Sequence, residues 1–262
     1  MNRSTVYPRD RLAVALDVPD LASARALVGM LRAHAGWFKV GLELYASAGP
    51  DAVKAVVDAG SKAFADLKLH DIPNTVKGAV RSLAAAGASL CTVHASGGAA
   101  MVRAAVEAQV PLDSSGHPRP LGEGRGEGPP SPGLRVLAVT ALTSLDDAAI
   151  AEIGMTGGAA GTVERLLRLA ISAGAHGAVM SPRECASARR IVPPDFVIVT
   201  PGIRAPGDAQ GDQARTASPA EAIAAGSDLL VVGRPITRAK DPAGRAQEIL
   251  DDIAHGMLER IR

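Results

Sequence analysis

Short apolar runs alternate with longer amphipathic stretches along the whole chain. The runs are Leu12–Asp17, Trp37–Gly41, Ala63–Lys68, Ser89–His94, Arg135–Thr140, Gly177–Ser181, Phe196–Thr200 and Asp228–Gly233. Each has the length and near-continuous hydrophobicity of a strand buried on both faces. Between them lie Ala-rich stretches with helical character, among them Leu21–Ala35, Pro50–Ala59, Thr75–Ala86 and Val163–Ala173. Gly36, Gly60, Gly87 and Gly174 follow these four stretches, a helix-stop signal. Eight strand–helix units in one chain of 262 residues predict an α/β fold, a (β/α)8 TIM barrel spanning residues 1–262 as a single domain. A doubly wound open sheet is the competitor. It would more often carry a Gly-rich phosphate turn after the first strand, where this chain reads Leu16-Asp17-Val18-Pro19.

One segment breaks the rhythm. Residues 113–133, DSSGHPRPLGEGRGEGPPSPG, are rich in Gly, Pro and Ser and lack periodicity. Such a composition buries too little apolar surface to fold, so a flexible surface insertion is expected. It follows a helix and precedes a strand, which assigns it to the N-terminal face of a barrel, away from the expected chemistry.

Composition narrows the classes. The chain is 47% hydrophobic and 21% charged, the profile of a soluble globular protein. Aromatics are only 2%, so Ala, Val, Leu and Ile must fill the core. Twenty-eight Lys and Arg against 27 Asp and Glu leave a net charge of +1. That balance argues against a broad surface for nucleic acid or membrane, and any anion must be caught by a local cluster. Met1–Asp10 has no apolar signal-peptide core, and no run of 18 apolar residues occurs, so neither a leader nor a membrane span is expected. Cys91 and Cys185 fit neither a CxxC motif nor a disulfide framework, which suggests a reducing, cytoplasmic setting.

The strand ends are unusually polar. Asp17, Lys39, Asp66, Lys68, Thr140 and the pair Gly233-Arg234 all fall at or near them. In a barrel these ends converge on one mouth, so they are site candidates. Asp66 and Lys68 are two apart and should share a strand face. Asp71 lies three further on, in the loop. The spacing D-x-K-x-x-D sets two carboxylates around an ammonium, and Lys39 adds a second cation. The bland alternative is a surface salt bridge worth about 0–1 kcal/mol. Thr200-Pro201-Gly202-Ile203-Arg204 and Gly211-Asp212-Gln213 suit a loop over the mouth. Loops after strands seven and eight frequently bind phosphate in such barrels, with Arg204 and Arg234 as candidate clamps. His70 alternates away from Asp66 and Lys68 and reads as structural. His94 ends strand four, where a hydrogen-bonded structural role is favoured. His34, His117, His176 and His255 lie on no ligand spacing, so no metal site is expected. Trp37 and Met101 read as core.

The run FADLKLHDIPNT at 64–75 resembles the catalytic block of the orotidine 5′-phosphate decarboxylase family in its bacterial form. Further matches occur in family order over nearly the whole chain: VALD at 14–17, FKVG at 38–41, VHASGG at 93–98, VTALTS at 139–144, TPGIR at 200–204, GDQ at 211–213 and VVGRPIT at 231–237. The resemblance implies a carboxy-lyase that converts orotidine 5′-phosphate to UMP, the last step of de novo pyrimidine synthesis, with no cofactor. It implies that Lys68 is the proton donor and that Asp66 faces the departing carboxylate. Lys39 matches the second lysine of the charged network, which also contacts substrate. Asp17 matches a ligand of the ribose hydroxyls, and Thr143 a pyrimidine-side contact. Arg204 and Gln213 match the closing loop, and Gly233 and Arg234 match phosphate contacts. Asp71 and Thr75 match residues that the family inserts into the neighbouring subunit's site, so a homodimer is expected. The insertion at 113–133 is the departure from the pattern.

Two other functions compete. Related barrel lyases, keto-gulonate-phosphate decarboxylase and hexulose-phosphate synthase, share D-x-K-x-x-D but use a magnesium-stabilised enediolate. The PGIR…GDQ and VTALTS segments favour the nucleotide. A non-catalytic nucleotide-phosphate binder would have no need of Asp66, Lys68 and Asp71 together.

Overall fold

The apolar runs become eight strands: β1 (Leu12–Ala15), β2 (Trp37–Val40), β3 (Lys62–Leu69), β4 (Leu90–His94), β5 (Arg135–Val139), β6 (Gly177–Val179), β7 (Val197–Thr200) and β8 (Leu229–Val232). Each pairs in parallel with the next, and β1 pairs with β8, so the sheet closes in the order β1 to β8. That closure is the expected barrel and removes the open-sheet alternative. The computed structural model describes residues 6–108, 133–204 and 216–260. The expected insertion at 113–133, apart from Gly133, and the Gly211-Asp212-Gln213 segment lie outside the described residues.

Element boundaries follow the sequence with local exceptions. The first long helix is Leu21–Leu31 and stops short of Ala35. Gly36 is therefore not its stop signal. Its N–H donates to the Arg9 carbonyl at 2.8 Å, and a Cβ there would lie 2.9 Å from that oxygen. Close approach of two backbones, not a left-handed turn, requires glycine at this point. The helix Leu42–Ala48 was not anticipated. It is short and starts directly after Gly41, which has no side chain to cap it.

Side chains alternate in and out along each strand. Ala13, Ala15, Phe64, Leu90, Leu137, Val199, Leu229 and Val231 pack together inside the barrel, with Trp37 against them. Their neighbours Leu12, Val14, Phe38, Val40, Ala63, Ala65, Cys91 and Val93 face the helical layer, where Met101 is buried as expected. The same alternation sets up the mouth. On β2 the inward positions are Trp37 and then Lys39. On β3 they are Phe64 and then Asp66. Beyond Ala13 and Ala15 the next such position is Asp17. Apolar layers thus plug the barrel from below and give way to charge at the C-terminal ends.

The opposite end carries a different cluster. Asp228, just before β8, accepts from Arg11 Nη1 at 3.1 Å, from Arg260 Nη1 at 3.3 Å and from Arg189. It also accepts the Ile198 N–H at 2.9 Å. One carboxylate thereby ties β7, β8, the N-terminal segment and the C-terminal helix Pro242–Glu259 with its cap Arg260.

Candidate active site

Charge at the mouth is arranged as a chain. Lys39 Nζ lies 3.1 Å from Asp17 Oδ1 and 3.6 Å from Asp66 Oδ2. Lys68 Nζ lies 2.9 Å from the same Asp66 oxygen. Lys39 and Asp66 are buried, with 8% and 9% of their surface exposed, whereas Asp17 is exposed. Burial pushes the Asp66 carboxyl up, but the Lys39 and Lys68 ammoniums and the hydrogen bonds from Lys68 and Thr92 outweigh it. The group is held below its ordinary value. A buried carboxylate stays ionised only when it is paired and hydrogen-bonded, and here two ammoniums and the Thr92 hydroxyl meet that need, unlike a lone surface salt bridge.

Asp66 and Lys68 meet as the spacing predicted, but not through a regular strand. Ala65 pairs with Cys91 and Leu69 with Val93, so β3 takes four steps where β4 takes two. Lys68 has φ +50, the only positive φ at a non-glycine among the described residues. This bulge carries β3 past Lys68 to Leu69 and re-aims the side chain, a common device beside active sites. The Lys68 N–H leaves the ladder and donates to Thr92 Oγ1 at 2.9 Å, and that hydroxyl donates to Asp66 Oδ1 at 3.0 Å. Thr92 was not singled out from the sequence. Its signal was there: it is the polar inward residue of an otherwise apolar run, two positions before His94.

A cavity of about 280 Å³ opens over the chain of charges. Asp17, Lys39, Asp66, Lys68, Thr143, Arg204, Gly233 and Arg234 all line it. Arg204 is set there by a fixed loop end. Its N–H donates to the Ala217 carbonyl at 2.9 Å, and Ile203 bridges to Ala217. Gly41 is a further requirement that sequence reasoning passed over. A Cβ at that position would lie 2.9 Å from Lys39 Nζ and 3.0 Å from Asp17 Oδ1, so a side chain would part the ion pair.

Asp71 and Thr75 do not line this cavity. Both are exposed beyond β3, at the start of the helix Pro73–Ala85, and Asp71 Oδ1 accepts the Ile72 N–H at 2.6 Å. Thr140 leaves the candidate set, because its hydroxyl donates to the Val179 carbonyl at 3.0 Å and ties β5 to β6. His70 is exposed, and its ring centroid lies 5.4 Å from that of His94. Burial, then the charges of His70 and Lys68, hold His94 below the usual imidazole value, while Asp66 works in the opposite sense. Among the described residues no three His, Cys, Asp or Glu side chains gather as a metal-holding group, and no helix is long and apolar enough to cross a membrane.

Comparison with known proteins gives the same picture. Residues 10–249 match the family model described as Orotidine 5′-phosphate decarboxylase / HUMPS family. An orotidine 5′-phosphate decarboxylase of Anaeromyxobacter sp. (strain K) is 51% identical over 242 residues, which is 92% of this chain and 97% of that protein. The enzyme of that name from Thermobifida fusca (strain YX) is 49% identical over 243 residues, 92% of this chain and 95% of its own. The crystal structure of orotidine 5′-phosphate decarboxylase from Lactobacillus acidophilus superposes with a TM-score of 0.77 at 35% identity, covering 93% of this chain and 99% of that one. The barrel, the charged mouth and these matches agree, and the chain belongs to the orotidine 5′-phosphate decarboxylase / HUMPS family.

Proposed function

We propose that this chain decarboxylates orotidine 5′-phosphate to UMP in the cytoplasm, as a homodimer and without a cofactor. The observation that carries the reading is the Asp66 carboxylate, held ionised between Lys39 and Lys68 in a cavity that Arg204 and Arg234 also line. The two guanidiniums suit a phosphate, and the lysines of the same cavity suit the carboxylate of the substrate.

The chemistry follows from the charges. When the bond from C6 to the carboxylate breaks, CO₂ leaves and the electron pair stays on C6. The pyrimidine ring has no ordinary sink for it. The Lys68 ammonium stabilises that pair and then donates a proton to C6, giving UMP, and water returns a proton to the amine. A fixed charge of this kind needs no reorganisation during reaction, which makes it a large catalytic contribution. Asp66 repels the substrate carboxylate until CO₂ departs, and Lys39 keeps both in register. Asp17, beside Lys39, takes the ribose hydroxyls. Thr143 contacts the pyrimidine. Arg204, Gly233 and Arg234 take the phosphate. Binding energy from the phosphate is then available to order the site.

Asp71 and Thr75 serve the partner's mouth in this reading. Their exposure beyond β3, outside their own cavity, supports that assignment.

The family's name also covers relatives whose chemistry runs through a metal-bound enediolate. A substrate comparison after exhaustive chelation separates the two. Turnover of orotidine 5′-phosphate, with none of a hexulose phosphate, supports the decarboxylase. The reverse preference, or a requirement for added magnesium, overturns it.

A further inference from the structure

Thr92 is wholly buried on β4 and does not line the cavity. Its single hydroxyl nevertheless joins two parts of the site. It accepts from the Lys68 N–H and donates to Asp66 Oδ1. The directions are fixed by chemistry: an amide N–H only donates, and an ionised carboxylate only accepts. One hydroxyl hydrogen and its lone pairs satisfy both.

Each bond answers a specific need. At Lys68 the bulge takes the N–H out of the sheet ladder, and a buried N–H without an acceptor is costly. A left-handed backbone at a lysine persists only where its surroundings over-determine it. At Asp66 the two carboxylate oxygens have separate duties. Oδ2 faces the Lys68 and Lys39 ammoniums, and Oδ1 takes the Thr92 hydroxyl, which fixes the rotation of the carboxylate plane.

We infer that Thr92 is a positioning residue for the reaction: its hydroxyl sets the bulge that aims Lys68 and the plane that aims Asp66. The pair is thereby ordered before substrate arrives, and pre-set geometry is what electrostatic catalysis depends on. The inference rests on the decarboxylase reading above.

Thr92→Val keeps the shape and removes both bonds. The expected result is a folded protein whose kcat for orotidine 5′-phosphate falls roughly ten- to a hundredfold, the scale of a lost hydrogen bond to a charged group. KM should stay within about twofold, because Thr92 does not line the cavity and the residues assigned to the phosphate and ribose are left in place. Thr92→Ser restores the oxygen without the methyl and should recover most of the lost kcat. A Val variant as active as the parent overturns the inference, as does a Ser variant as impaired as Val, or a loss confined to KM. If Thr92→Val fails to fold, Thr92→Ser against Thr92→Ala makes the same comparison of oxygen present and absent. Equal kcat in those two overturns the inference, and so does failure of Ala to fold, since the role is then structural. Lack of turnover by the unmodified protein defeats the decarboxylase reading and this inference with it. Parental turnover matched by Thr92→Val defeats the inference alone.

Discussion

The Lys68 ammonium lies 2.9 Å from Asp66 Oδ2, and this pair closes an alternating chain of charge, Asp17–Lys39–Asp66–Lys68, drawn from three successive strand ends. Alternation lets four charges crowd one mouth without net repulsion. It also leaves each group dependent on its neighbours, so the pairwise energies will not be additive.

Asp66 makes that dependence measurable through pH. Its folded-state value is depressed from the ordinary 3.8. A carboxyl with a depressed folded value binds fewer protons folded than unfolded, so it contributes stability above its unfolded value. That contribution is lost as pH falls through the folded value. The expected outcome is that Asp66→Asn is less stable than the parent near neutrality, and that the gap holds down to about pH 5 and then narrows as pH falls through and below the unfolded value of 3.8. Denaturant unfolding of both proteins across that range checks it. A gap independent of pH would contradict the ionised assignment.

Division of the D-x-K-x-x-D motif between two subunits predicts complementation. Lys68→Ala and Asp71→Ala should each lose at least about a thousandfold in kcat, in line with removal of an electrostatic catalytic group. Mixed and allowed to exchange subunits, they should regain activity, because a mixed dimer holds one site with both residues intact. Unrestored activity despite demonstrated exchange would show that Asp71 serves its own barrel.

Asp228 provides the contrast. It sits at the N-terminal end of the barrel and gathers Arg11, Arg189 and Arg260. Asp228→Ala leaves three partly buried guanidiniums without their shared acceptor and should cost about 2–4 kcal/mol of stability. Because the cluster lies at the other end from the mouth, kcat of the folded variant should stay within about twofold of the parent. Thermal melting together with steady-state kinetics tests both halves. A large fall in kcat with unchanged stability would invert the assignment.

Much of this was legible in the sequence for a physical reason. A parallel barrel buries its strands on both faces, so the apolar runs stand out, and period-two alternation carries Lys39 and Asp66 to the mouth. What escaped notice came from departures from regularity. The bulge at Lys68 follows from no local composition, because Lys is not a residue that favours φ +50. Thr92 escaped because its value lies in two contacts from another strand. Gly36 carried the wrong reason: a helix stop and a close backbone approach both select glycine, and only the observed contact with Arg9 separates them. Thr140 looked like Asp17 in position, yet its hydroxyl is spent on the neighbouring strand.

The most direct measurement is the ultraviolet absorbance of orotidine 5′-phosphate after mixing with the purified protein, in the presence of a chelator. The account predicts loss of the orotate-type absorbance with matching formation of UMP and CO₂, and no such loss with Lys68→Ala. A folded dimer that leaves the absorbance unchanged, or that acts only when magnesium is restored, would contradict it.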